Sequence, residues 1–154
     1  MTTSLILSCA AVIASLGLSY QFMLMDNIAY FNMNERYEKT YSLCLRIADR
    51  LEQTPGFEHG MPVAILGGVP AYPSTDTTRD DLIGYFGVTS DYAIGSTEHF
   101  AEFMSHYMNI TLNTITFEEE LELVETEEFK NCPKFPDEGC IMQIDGVWVI
   151  KING

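Results

Sequence analysis

Between Leu5 and Met25 the chain reads LILSCAAVIASLGLSYQFMLM, with no charged residue and no proline. At about 1.5 Å rise per residue, a helix of that length crosses a hydrocarbon core of roughly 30 Å, so residues 1–25 are expected to form a transmembrane helix. A cleavable secretory signal ordinarily opens with Lys or Arg and carries a shorter apolar stretch, whereas Met1-Thr2-Thr3-Ser4 has no positive charge. The other home for such a run is the core of a soluble domain. Ser8, Ser15, Gly17, Ser19 and several alanines favour a helix packed against other membrane helices, because small residues let backbones approach closely. The chain is therefore expected to begin within a larger bundle, with 1–25 as its last span.

Charge supplies the expected sidedness. The first basic residue is Arg36, and the chain as a whole has 22 acidic against 8 basic side chains, for a formal net charge of -14. Cytoplasmic flanks of membrane helices are enriched in Lys and Arg, so residues 26–154 are expected to form an extracytoplasmic domain at the cell membrane. The same charge argues against nucleic acid or an anionic membrane surface as a partner, since both attract basic patches. Residues 26–154 suffice for one domain with a modest core.

Helical periodicity continues beyond the apolar run. Tyr30, Tyr37, Tyr41, Cys44, Leu45, Ala48 and Leu51 recur three and four residues apart, with Glu35, Glu38, Lys39, Asp49 and Arg50 on other faces. One helix is expected to reach about Gln53, and Thr54-Pro55-Gly56 to end it. Met61-Pro62-Val63-Ala64-Ile65-Leu66-Gly67-Gly68 then reads as a buried strand bounded by turn residues. Gly67-Gly68-Val69-Pro70 lacks the spacing of a phosphate-binding loop and reads as a structural turn. Residues 70–96 read as a long loop with one helical turn at Thr78 to Ile83.

Further on, Ser96-Thr97-Glu98-His99 opens a helix to about Met108, with Phe100, Phe103, Met104 and Tyr107 on one face. Thr116-Phe117-Glu118-Glu119 is a capping-box pattern that starts another. The C-terminus is a β-hairpin: Cys140 to Ile144 and Val147 to Ile152 flank Asp145-Gly146, the dipeptide of tight two-residue turns. Val147 and Val149 are expected to face the helices, Trp148 the opposite face or the domain edge, and Lys151 the solvent. The expected fold class is α/β: the membrane helix continues into a small domain in which helices cover a mixed three-stranded sheet.

Candidate chemistry is sparse. Cys132 and Cys140 are the pair able to bridge in an oxidising compartment, since Cys9 is in the span and Cys44 on a helical face. None of His59, His99 and His106 stands at ligand spacing from a cysteine, so neither a metal site nor a cofactor is expected. Seven glutamates from Glu118 to Glu128 read as a solvated helix start. Asp76, Asp80 and Asp81 beside Arg79 form the compact polar group of the long loop, and Tyr72, Tyr85, Phe86 and Tyr92 around it offer ring faces for a sugar or side chains for a core.

A succession of segments adds a family likeness. Asp26-Asn27-Ile28-Ala29-Tyr30, Tyr37-Glu38-Lys39-Thr40, Arg46-Ile47-Ala48-Asp49-Arg50, Met61 to Gly68, and Pro133-Lys134-Phe135-Pro136-Asp137-Glu138-Gly139-Cys140-Ile141 precede the Asp145-Gly146 hairpin. In that order they resemble the C-terminal region of bacterial GtrII-type membrane glucosyltransferases, which modify O-antigen and other cell-surface glycans. The resemblance spans nearly the whole chain and rests on the succession, not on one motif. It implies a glycosyltransferase that uses polyprenyl-phosphate-linked glucose as donor and a surface polysaccharide as acceptor. It also implies that catalytic acids lie in loops between earlier membrane helices, so no catalytic residue is assigned here and the chain alone is expected to be inert. Its partners would be the remaining transmembrane helices. Cys132 and Cys140 depart from the family pattern, where Met and Ser are expected. The alternative reading is a single-span protein whose acidic domain binds a membrane or surface partner.

Overall fold

The computed structural model describes residues 2–67, 94 and 96–152. The chain divides into two compact units, one holding the N-terminal helix as far as Glu35 and the other the described residues from Arg36 onward. A single α-helix, α1 (Thr2–Glu52), contributes to both.

In the first unit, α1 is the one helix among the described residues long and apolar enough to cross a membrane, and none of its most apolar window is buried. Leu5, Ile6, Leu7, Ile13 and Leu16 are all exposed. A helix this long, apolar and exposed is compatible with membrane anchoring. Ser8 Oγ donates to the carbonyl of Ser4, so its hydroxyl is satisfied within the helix.

In the second unit α1 buries Thr40, Leu43, Cys44, Ile47, Ala48 and Leu51. That stripe is rotated from the expected one: Tyr41 and Leu45 lie on its exposed side, and Leu43 and Ile47 take the core positions. The helix ends as expected, with Thr54 Oγ1 donating to the carbonyl of Arg50 at 2.8 Å and Gly56 at φ 89°.

Four strands, not three, form the sheet. They are β1 (Pro62–Leu66), β2 (Asn113–Thr114), β3 (Ile141–Ile144) and β4 (Val147–Lys151), in the order β2-β1-β4-β3. β1 pairs in parallel with both β2 and β4, and β3 pairs antiparallel with β4. The added strand, β2, is two residues long, too short for alternation to reveal it. Asn113 Nδ2 donates to the carbonyl of Gly60 and fixes it beside β1.

Helices α2 (Thr97–Met108), α3 (Phe117–Glu125) and α4 (Glu127–Asn131) complete the domain. Val63, Ile65, Trp148, Ile150 and Ile152 pack with Leu43, Cys44, Ile47 and Leu51 of α1 and with Phe100, Phe103 and Met104 of α2. On the other face Ala64, Leu66, Ile144 and Val149 meet Leu123 of α3 and Phe129 of α4. Each of the large side chains fully buried here is worth about 1.5–3 kcal/mol relative to exposure. Covering both faces also explains why β1 reads as an unbroken apolar run.

Both local start signals hold. Ser96 caps α2 through the His99 amide, and Thr116 and Glu119 form a reciprocal capping box on α3. Asp145 and Gly146 both take positive φ, 49° and 85°, as a tight hairpin turn of this hand demands. Trp148 does lie on the face opposite Val149, but that face is covered by helices too. The indole is 7% exposed, its Nε1 donates to Met61 Sδ at 3.2 Å, and Phe57 meets it edge-on.

Candidate functional site: a lysine-lined cleft at the carboxyl end of the sheet

β1 and β4 run parallel at the centre of the sheet. From β1 the chain reaches β2 by way of α2 on one face, and from β2 it returns through α3 and α4 on the other face to β3 and β4. In open α/β sheets ligands bind beyond the carboxyl ends of the parallel strands. Here the last register pair is Leu66 with Lys151, and Gly67, at φ 101°, follows β1. An open cleft of about 500 Å³ lies at this end, lined by Gly67, Val124, Glu125, Phe129, Lys130, Lys134 and Lys151.

Three of the chain's 8 basic residues therefore meet at one cleft of a strongly acidic molecule. Strand alternation puts Lys151 on the same face as Val147 and Val149, toward α4. Its ammonium donates to the carbonyls of Phe129 and Lys130 at 2.9 and 3.0 Å and lies 4.8 Å from the centre of the Phe129 ring. It thereby bonds the Lys130 carbonyl and shares the Phe129 carbonyl with the Cys132 amide, capping the end of α4. This corrects the expectation that Lys151 is a solvated end charge. Lys130 pairs with Glu127 at 3.1 Å across one turn of α4.

The seven glutamates are dispersed in role. Glu119 is engaged in the α3 cap, where the Thr116 amide and hydroxyl hold its carboxyl below the usual range. Glu127 is paired with Lys130, and Glu125 reaches the cleft. The loop candidates Tyr72, Asp76, Arg79, Asp80, Asp81, Tyr85, Phe86 and Tyr92, and the turn at Thr78 to Ile83, lie outside the described residues.

Cys44, Cys132 and Cys140 are buried free thiols. Burial pushes Cys44 up to about 12 and also raises Cys132 and Cys140, with Lys151 partly offsetting the rise at Cys132 and Arg50 that at Cys140. Reactive cysteines are exposed and shifted the other way, so these three pack instead of reacting. Among the described residues no His/Cys/Asp/Glu group is arranged to hold a metal ion.

Sequence reasoning missed the cleft because β3 and its turn separate Lys151 from Lys130 and Lys134. The legible signal was the Val147-x-Val149-x-Lys151 alternation, which places an ammonium on a covered face. Against protein-family models, curated proteins and solved structures, the chain has no match.

Proposed function

We propose that this chain is the C-terminal part of a membrane glucosyltransferase of the GtrII type, anchored by its apolar helix and carrying an extracytoplasmic α/β domain. The observation that carries this reading is the passage of α1 from an exposed apolar stretch into the core-forming stripe at Thr40 to Leu51 without leaving the helix. The same order, span then helix then buried strand then Asp-Gly hairpin, is the one on which the family resemblance rests. An aromatic surface supports an acceptor-side role: Tyr37 touches Tyr41, Phe103 and Tyr107, and Phe103 meets Tyr107 in a tilted pair at 4.8 Å, with Tyr107 largely exposed. Exposed ring faces of this kind suit the apolar faces of sugars.

In this reading glucose passes from a polyprenyl phosphate to a surface polysaccharide, and the acids that activate the acceptor belong to earlier membrane loops. The chain itself supplies attachment and an acceptor-side surface. Two measurements test it. A reporter fused after Gly154 should fractionate with membranes and be accessible from outside the cytoplasm; a soluble, cytoplasmic product refutes the reading. Incubated alone with polyprenyl-phosphate glucose and polysaccharide, the purified chain should transfer no sugar, and turnover would place the catalytic acids within it. A single-span binding protein is the second reading, favoured by the lysine-lined cleft.

A further inference from the structure

We infer that the cleft at the carboxyl end of β1 and β4 binds a phosphate ester that carries neighbouring hydroxyl groups. This concerns the α/β domain's own surface and does not rest on the glucosyltransferase reading, so either stands if the other fails.

Three features converge. The first is charge: three of the chain's four lysines, Lys130, Lys134 and Lys151, line one cleft in a chain of net charge -14. The second is positioning. An ammonium has three donors, and two of those on Lys151 are held by the Phe129 and Lys130 carbonyls, which fixes the nitrogen and leaves one N–H for a ligand. Lys130 pairs with Glu127 at the surface, where such a bond is weak, so turning toward a phosphate costs little. The third is selectivity. Glu125 lines the same cleft, and a carboxylate accepts hydrogen bonds from hydroxyls while repelling a second anion. Val124 and Phe129 add apolar wall, and the volume of about 500 Å³ falls within the ordinary range for small-molecule sites. Bare phosphate uses the lysines alone; a polyol phosphate uses Glu125 as well.

The phosphate ester has two possible sources, a free small molecule or a phospholipid headgroup. The test is lysine acetylation of the full chain in neutral detergent, read by mass spectrometry residue by residue. Glycerol 3-phosphate at millimolar concentration should slow acetylation of Lys130 and Lys134 at least threefold while leaving Lys39 unchanged. Inorganic phosphate should protect less, and glycerol or sodium chloride at matched ionic strength not at all. Lys130→Gln, which leaves the Lys151 bonds intact, should weaken protection of Lys134 three- to tenfold. Glu125→Gln should reduce the preference for glycerol 3-phosphate over inorganic phosphate, a change that loss of folding would not mimic. Reconstitution in phosphatidylglycerol against phosphatidylcholine vesicles separates the sources: protection by phosphatidylglycerol assigns a headgroup, and protection only by the soluble ester assigns a free metabolite. Equal slowing at all four lysines, or none at Lys130 and Lys134 with any of these probes, overturns the inference.

Discussion

Thr97 offers a sharp test of how the domain holds together. It is 3% exposed, and its Oγ1 donates at 2.8 Å to the carbonyl of Ile65, 32 residues earlier. The bond ties the first turn of α2 to the last residues of β1. Thr97→Val keeps the shape and the β-branch and has nearly the same helix propensity, so it removes the hydrogen bond almost alone. A typical net hydrogen bond contributes about 1 kcal/mol, and an acceptor left dry adds about 1 kcal/mol more. A loss of about 1–2 kcal/mol in a domain of this size should lower Tm by roughly 4–12 °C. Thr97→Ser retains the donor and gives up one methyl, so it should fall by less. Trp148, the chain's single tryptophan and buried in the same core, reports the melt by fluorescence of the full chain in detergent. If Val matches wild type while Ser is destabilised, methyl packing and not the hydrogen bond joins α2 to β1, and the reasoning fails.

Four further outcomes follow from the same geometry. Gly146→Val meets no atom within 4 Å of the added Cβ, so its cost is the backbone's alone, roughly 1–2 kcal/mol. Lys151→Ala breaks two charge-assisted bonds at the end of α4, about 1–3 kcal/mol, and should melt at least as early; a melt equal to wild type would make Lys151 the solvated charge it first looked like. The Glu119 carboxyl is lower in the folded state than in the unfolded one, so its contribution is full above the usual glutamate value of about 4.3 and is lost as pH falls through the folded value. The Tm gap between wild type and Glu119→Ala should therefore close on acidification, and a constant gap would show that the carboxylate does not cap α3. With their thiols buried and raised, Cys44, Cys132 and Cys140 should resist iodoacetamide at pH 8 until the chain is denatured; rapid labelling of any of them in the folded chain contradicts its burial.

What was legible in the sequence was local. The apolar run, Ser96 before α2, Thr116 with Glu119 before α3, and Asp145-Gly146 in the hairpin each specify a structure within a few residues, and each is where it was expected. What was not legible depends on partners distant in sequence. β2 is a strand only because Pro62 and Val63 lie beside Asn113 and Thr114. The rotated stripe on α1 follows from α2 and the sheet taking Leu43 and Ile47, since Tyr41 and Leu45 satisfy the same periodicity almost as well. Trp148 is buried because both faces of the sheet are covered, and alternation distinguishes two faces without saying what covers either.

The cleft shows the same dependence most clearly, because its wall is an element that could not stand alone. Isolated helices shorter than about 12–15 residues are marginal in water, and α4 has five residues. Three things hold it. Thr126 accepts from the Phe129 amide at its start, Glu127 and Glu128 meet the positive end of its dipole, and the Lys151 ammonium meets the negative end. Phe129 then inserts between them into the core formed with Leu66 and Val149. The strand that ends at the cleft thus also holds the helix that walls it, through one ammonium shared between the two. A phosphate drawing on the remaining N–H of Lys151 would bear on α4 as well, so ligand and helix stability are coupled through that nitrogen. The consequence is measurable: protection of the Lys130 and Asn131 amides from hydrogen exchange should rise when glycerol 3-phosphate binds, and should be indifferent to it in Lys151→Met.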